Sequence, residues 1–181
     1  MQKKYLVVAA VASVLLLGDQ VSKSLIPEGL SPGRPLPVIA GGLEFRYAEN
    51  TGIAFSLFQD LPAWGRIPLF SLITLMAVLV IMRLLRETPA QSFRLPLALG
   101  CIMAGALGNL ADRFRWGAVV DFIRVTVVIP GINTTWPIFN LADAYLTVGI
   151  FLMLLDAFFG RREGAGGAAA EEKPIKEAEA N

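Results

Sequence analysis

Carboxylate and amide side chains stand out in this sequence because they lie beside long apolar runs. Asp121 interrupts the apolar run Val119–Ile123. Asp143 follows Asn140 by three residues, which places Asn140 and Asp143 on one face of a helix. Two carboxylates that share a site of low polarity cannot both ionise readily, so one keeps its proton. Such a pair can hold a water molecule and act as base and acid toward a peptide carbonyl. These residues therefore permit hydrolysis by two aspartates.

The sequence has no histidine and one cysteine, Cys101. The lack of histidine excludes the Ser-His and Cys-His nucleophile pairs and removes the commonest zinc ligand. A single cysteine excludes a disulfide framework and a cysteine-rich metal site. Hydrolytic chemistry must then rest on carboxylates, lysine or hydroxyls.

Two further polar clusters lie near the ends of apolar runs. Asp19 and Lys23 are spaced i,i+4 with the acid first, so they share a helix face and can pair. Asn109 shares its face with Asp112 and Arg113. An ionisable residue inside a membrane span costs about 2.5–3.5 kcal/mol on insertion scales and marks a functional site by default.

Each cluster also has a structural interpretation. Asp19 and Lys23 could form an ion pair without a catalytic role. The cluster that begins at Asn109 could cap and anchor its helix at the lipid headgroups. Asn140 could be the N-cap of the helix that follows. Asp112 competes for a place in the catalytic pair, but its neighbour Arg113 would tend to hold it ionised. Asp121 has the weakest structural explanation, because a solvated loop has no reason to surround an acid with bulky apolar groups.

Four apolar segments must position these clusters, and each can cross a bilayer, which takes about 20 residues as a helix. The predicted spans are residues 5–26, 67–85, 95–112 and 138–159, joined on one side by loops 27–65 and 114–137. A composition of 55% hydrophobic and 17% charged residues agrees with a membrane protein. The first run could instead be a cleavable signal peptide, but it lacks a small-x-small cleavage site and three more spans follow.

Basic residues near the predicted helix ends place both termini in the cytoplasm. The clusters near the ends of the first, third and fourth spans, together with Asn50 and Asp121 in the loops, then lie at the extracytoplasmic face. In the outer loops, residues 43–47 alternate between apolar and charged types, and residues 122–129 are rich in β-branched residues. These patterns predict a small sheet built from both loops. Residues 161–181 lack apolar periodicity and are predicted to be a disordered cytoplasmic tail beyond a membrane-embedded domain of residues 1–160.

Five motifs, in order along residues 1–160, resemble the lipoprotein signal peptidase family (signal peptidase II). They are Asp19-Gln-Val-Ser-Lys23, Asn50-Thr-Gly-Ile-Ala-Phe55, Gly105-Ala-Leu-Gly-Asn-Leu-Ala-Asp-Arg113, Val120-Asp121-Phe122 and Phe139-Asn-Leu-Ala-Asp143. Ala104 and Ile53 stand where the family often has glycine and alanine.

The resemblance implies a four-helix bundle with a small extracytoplasmic β-cradle in the bacterial inner membrane. It implies an aspartic endopeptidase that removes signal peptides from prolipoproteins, on the N-terminal side of a diacylglyceryl-modified cysteine. Asp121 and Asp143 would be its catalytic pair, and the expected supporting or substrate-binding residues are Asn50, Gly52, Asn109, Asp112, Arg113, Asn140, Asp19 and Lys23. The expected partners of this monomer are the lipidated substrate and membrane lipids, without metal, cofactor or nucleic acid.

Two other functions remain compatible with the residues alone. A small transporter or channel would also cluster charges between spans, although usually near the midplane of the bilayer. A divalent metal could be bound by the carboxylates of Asp112, Asp121 and Asp143.

Overall fold

The computed structural model describes residues 2–30, 34–52 and 61–171. Its elements, in chain order, are α1 (Lys3–Gly29), β1 (Leu36–Ile39), β2 (Leu43–Asn50), α2 (Ala63–Glu87), α3 (Arg94–Trp116), β3 (Val119–Ile129), β4 (Ile132–Thr135) and α4 (Leu141–Glu171). Within these ranges four helices are long and apolar enough to cross a membrane. The predicted class, four spans with a small sheet, is therefore confirmed.

Helix α3 is the centre of the bundle and packs against α1, α2 and α4. In the most apolar stretch of α3, half of the residues are buried, compared with 11–17% in the corresponding stretches of the other three spans. Small residues permit this packing: a Cβ atom added to Gly105 would overlap the backbone oxygen of Ala142, and one added to Gly108 would lie 2.6 Å from Asp19 Oδ2. The glycines of α3 thus bring α1 and α4 close to its backbone.

The described strands form a four-stranded antiparallel sheet in the order β1-β2-β3-β4. This confirms the predicted sheet from both outer loops and places Asp121 inside β3, opposite Ala48 of β2. The segment before α4 is fastened to the same strand: the Phe139 N–H donates to Ile123 O at 3.0 Å, and the Ile123 N–H donates to Phe139 O at 2.8 Å. Strand β3 and the start of α4 are therefore held together by backbone hydrogen bonds.

Helix ends differ from the predicted span ends. Helix α1 continues past the predicted stop at Pro27, α2 begins before Ile67 with Pro68 inside it, and α4 begins at Leu141 rather than at residue 138. Helix α4 also continues to Glu171, so residues 161–171 are helical where a disordered tail was predicted. Hydropathy marks the part of a helix that suits a bilayer, whereas its ends depend on backbone hydrogen bonding. Residues 172–181 of the predicted tail lie outside the described residues.

Candidate active site

Two amide side chains connect the carboxylates of Asp121 and Asp143. Asn140 Nδ2 donates to Asp121 Oδ1 at 2.6 Å, and Asn109 Nδ2 donates to Asp143 Oδ1 at 2.8 Å. Asn140 Nδ2 also donates to Asn109 Oδ1 at 3.2 Å, which closes the connection. Strand β3, helix α3 and helix α4 thus bring the two predicted catalytic residues into one hydrogen-bonded chain.

Asn140 has a second role at the start of α4. Its Oδ1 accepts the Asp143 N–H at 3.0 Å, and Asp143 Oδ2 accepts the Asn140 N–H at 3.3 Å. This reciprocal pattern is a capping box, which satisfies two free N–H groups of a helix end. The structural interpretation of Asn140 as an N-cap and its contact with Asp121 are therefore both present, and its side chain is fully buried.

Asn50 and Gly52 approach Asp121 from the end of β2. Asn50 Nδ2 donates to Asp121 Oδ2 at 3.2 Å, while its Oδ1 accepts the Gly52 N–H at 3.0 Å. Arg113 Nη2 donates to Gly52 O at 2.7 Å, and its guanidinium lies 4.1 Å from the centre of the Phe70 ring. Arg113 therefore holds the backbone that presents Asn50. Residues 53–55 of this motif lie outside the described part of the chain.

The surroundings of Asp121 favour its protonated form. Only 3% of the residue is exposed, and this burial, followed by repulsion from Asp143, raises its pKa from 3.8 to about 6. Hydrogen bonds from Asn50 and Asn140 and the charge of Lys23 oppose the rise. Asp121 can thus carry a proton under conditions in which an ordinary aspartate is ionised.

A buried ion cluster lies next to this pair and consists of Asp19, Lys23 and Asp112. Lys23 Nζ lies 2.9 Å from Asp19 Oδ2 and 2.7 Å from Asp112 Oδ2, and all three side chains are fully shielded from solvent. Asp112 Oδ2 accepts the Val120 N–H at 3.2 Å, and Asp19 Oδ1 accepts the Ala142 N–H at 3.0 Å. Asp112 is therefore a partner of Lys23 and of the β3 backbone.

Gln20 is a further member of this cluster and was not predicted from the sequence. Gln20 Nε2 donates to Asp112 Oδ1 at 2.8 Å and to Asp19 Oδ2 at 3.2 Å, while its Oε1 accepts a hydrogen bond from Arg115 at 3.1 Å. Its one sequence signal was an amide beside a charged residue in an apolar span. That signal does not distinguish a network member from a residue at the membrane surface.

A cavity of about 520 Å³ reaches Asp121 and Asp143 from between α2, α3 and α4. Both carboxylates line it, together with Asn50, Asn109 and Arg113. Most of its remaining wall is apolar and comes from the spans and from the segment before α4, including Phe70, Ile73, Ala77, Ala106, Trp136, Ile138 and Leu146. The site therefore joins a polar end, which holds the two aspartates, to an apolar crevice between helices.

The metal alternative required Asp112 to join Asp121 and Asp143. Among the residues that the structure describes, no three acidic, histidine or cysteine side chains are grouped as metal ligands. Asp112 instead contacts the Lys23 ammonium. Asp112 therefore does not join Asp121 and Asp143 as a third carboxylate.

The chain and its fold are similar to those of known proteins. The family model described as signal peptidase (SPase) II matches residues 11–159. The chain is 40% identical over 141 residues to a lipoprotein signal peptidase of Acinetobacter baumannii, covering 78% of this chain and 77% of that protein. It is 35% identical over 165 residues to one of Geobacter sulfurreducens, covering 91% and 99%. A solved bacterial membrane enzyme superposes with a TM-score of 0.70 at 30% identity, covering 83% of this chain and 87% of that one.

Proposed function

The chain belongs to the signal peptidase II family, whose members remove signal peptides from prolipoproteins, and from this premise we propose that it is an aspartic endopeptidase with Asp121 and Asp143 as its catalytic pair. The comparisons do not support the transporter or channel alternative. One observation carries the aspartic assignment: both carboxylates line one cavity and are linked through Asn140 and Asn109. A pair that shares one proton provides a base and an acid without metal or histidine.

The reaction requires a water molecule between the two carboxyl groups. The ionised carboxylate takes a proton from the water as its oxygen attacks the scissile carbonyl carbon, and the protonated carboxyl donates its proton to the carbonyl oxygen. The tetrahedral intermediate then breaks its C–N bond: the leaving nitrogen receives a proton from the carboxyl that acted as base, and the other carboxylate takes a proton from one hydroxyl of the intermediate, which restores the pair. The amides of Asn50, Asn109 and Asn140 hold the carboxyl groups in place throughout.

The crevice between α2, α3 and α4 suits a substrate that is anchored in lipid. We infer that the peptide before a diacylglyceryl-modified cysteine lies at the polar end of the cavity, while apolar parts of the substrate contact the walls formed by Phe70, Ile73 and Leu146. Burial of acyl chains contributes about 0.8 kcal/mol for each CH₂ group removed from water. Such a substrate can therefore keep its chains between the helices or in the bilayer while its scissile bond meets the aspartates.

We further propose that the site lies at the outer face of the bacterial inner membrane, that both termini are cytoplasmic and that the protein acts as a monomer. The chain has three tryptophans: Trp64 lies in the first turn of α2, Trp116 ends α3, and Trp136 precedes α4, so all lie at the end of the bundle that holds the site. Their exposed fractions are 81%, 44% and 66%. Exposed tryptophans mark a membrane–water interface, which supports a site at the level of the lipid headgroups.

Cleavage of a purified lipid-modified precursor tests the catalytic pair. Asp121→Asn and Asp143→Asn should each abolish turnover while leaving insertion and thermal unfolding close to those of the parent protein. Asp156→Asn is the matched control, because Asp156 lies on α4 in a separate cavity with Phe93 and Leu152. Near-normal turnover in either site variant would contradict the assignment. Inhibition of the parent enzyme by a chelator would instead favour the metal alternative.

A further inference from the structure

Lys23 makes a third contact, which points from the ion cluster toward the catalytic pair. Its Nζ donates to Asn109 Oδ1 at 3.2 Å, in addition to its contacts with Asp19 and Asp112. An ammonium has three N–H donors and no acceptor. All three donors are thus used, and the side chain is buried, with 2% of the residue exposed.

This contact fixes which end of the Asn109 amide faces Asp143. Asn109 Oδ1 accepts from Lys23 Nζ and from Asn140 Nδ2, both at 3.2 Å, and Asn109 Nδ2 donates to Asp143 at 2.8 Å. A reversed amide would place its NH₂ group against two other donors and its oxygen against a carboxylate. Each of the three contacts would become repulsive, so the surrounding charges select one orientation.

We propose that Lys23 is a positioning residue for catalysis: by orienting Asn109, it keeps an N–H donor on Asp143 and so holds Asp143 in place as the base, while Asp121 acts as the acid. A hydrogen bond from a donor favours the charged form of a carboxylate. Asp143 also lies in the first turn of α4, where the helix dipole favours a negative charge. This inference rests on the proposed function and assigns a distinct role to each aspartate.

The charged groups around Asp143 come from three elements. Asp19 and Lys23 lie on α1, Asp112 and Arg113 on α3, and Asp121 on β3. Lys23 is thus one of two cations among these groups, and its link through Asn109 ends on an oxygen of Asp143. Its side chain is not part of the cavity wall, so we expect its removal to change kcat much more than KM.

A double-mutant cycle with Lys23→Met and Asn109→Ala tests the link. Each single variant should lower kcat for a lipid-modified precursor by about 10- to 100-fold, the range of one hydrogen bond to a charged group. The double variant should lose clearly less activity than the product of the two single losses, because part of the effect of Lys23 passes through a side chain that is already absent. KM should change much less than kcat in Lys23→Met, because this side chain is not part of the cavity wall.

Losses that multiply in the double variant, with KM changed as much as kcat, would overturn the positioning role and leave only a structural one. Lys23→Met leaves two buried aspartates without their cation. The cycle is therefore repeated in an Asp19→Asn background, so that the protein carrying both substitutions has lost one charge of each sign. A further variant, Asn109→Asp, keeps an acceptor for Lys23 but places an oxygen against Asp143. It should remain folded and lose activity; activity near that of the parent would also overturn the proposal.

The two proposals fail in different ways. Active Asp121→Asn or Asp143→Asn variants would refute the catalytic pair. Inactive variants of those two residues combined with multiplicative losses in the cycle would refute only the role of Lys23.

Discussion

Replacement of Asn140 by aspartate exchanges a donor for an acceptor at the centre of the site. Asn140 Nδ2 donates to Asp121 and to Asn109, and both hydrogen bonds would be lost. The variant side chain keeps an oxygen for the Asp143 N–H, so the N-cap of α4 is retained. Aspartate has nearly the same volume as asparagine, and the chemical change is therefore confined to the proposed catalytic pair.

The geometry sets the expected magnitude. The bond between Asn140 Nδ2 and Asp121 Oδ1 measures 2.6 Å and involves a group that can be charged, and such a hydrogen bond contributes about 1.5–3 kcal/mol. Because about 1.4 kcal/mol corresponds to a factor of ten in rate, kcat should fall by about 10- to 150-fold. A new carboxylate beside Asp121 should also raise its pKa above about 6, which moves the basic limb of the pH profile to higher pH.

The assay is the initial rate of cleavage of a lipid-modified precursor across a range of pH, with thermal unfolding of each variant measured in parallel. Asn140→Ser is the matched control, because serine can also cap α4 but adds no charge. Asn140→Ser should retain more activity than Asn140→Asp, and both should unfold near the temperature of the parent. A kcat for Asn140→Asp within threefold of the parent value would refute the role given to this amide.

Three further outcomes follow from the structure. Cleavage should decrease as the pH rises through about 6, because Asp121 then loses the proton needed by the acid step; a flat profile would contradict this. Gly105→Ala should lower the melting temperature by the equivalent of about 1–3 kcal/mol of overpacking, whereas Gly65→Ala should not, because its nearest neighbour would lie 4.0 Å away. Ala77→Phe should raise KM for the lipid-modified precursor several-fold by filling the crevice, while Leu75→Phe on the exposed surface of α2 should leave KM unchanged.

Much of this architecture could be predicted from local sequence properties. Long apolar runs identified the four spans, and β-branched residues identified strand β3, because both signals depend on nearest neighbours along the chain. The bridge between Ile123 and Phe139 could not be predicted in this way. Ile138 and Phe139 are as apolar as the residues of a span, and only tertiary hydrogen bonds with β3 separate them from α4.

Some residues of the site could likewise be predicted from local sequence, and others could not. Asp121 was identifiable because an acid among bulky apolar residues needs an explanation, and Asn140 because its spacing to Asp143 matches a helix start. Gln20 and the partners of Asp112 were not identifiable. Their roles depend on how α1 approaches α3, and residues in distant parts of the chain determine that approach.

The buried ion cluster is better explained by geometry than by stability. Removing two carboxylates and an ammonium from water costs several kcal/mol for each ion, so a buried ion pair is weak evidence for net stabilisation. Each carboxylate of this cluster, however, accepts a hydrogen bond from one particular backbone N–H group. Asp112 accepts from Val120, which immediately precedes Asp121, and Asp19 accepts from Ala142, which immediately precedes Asp143.

Lys23 joins those two carboxylates directly, with contacts of 2.7 and 2.9 Å. One ammonium on α1 thus ties together the backbones of β3 and α4 at the residues next to the catalytic pair. Apolar side chains could fill the same volume, but they would provide no directional contact to either N–H group. The energetic cost of burying these charges is therefore consistent with a cluster that sets the separation of Asp121 and Asp143, on which the sharing of one proton and one water molecule depends.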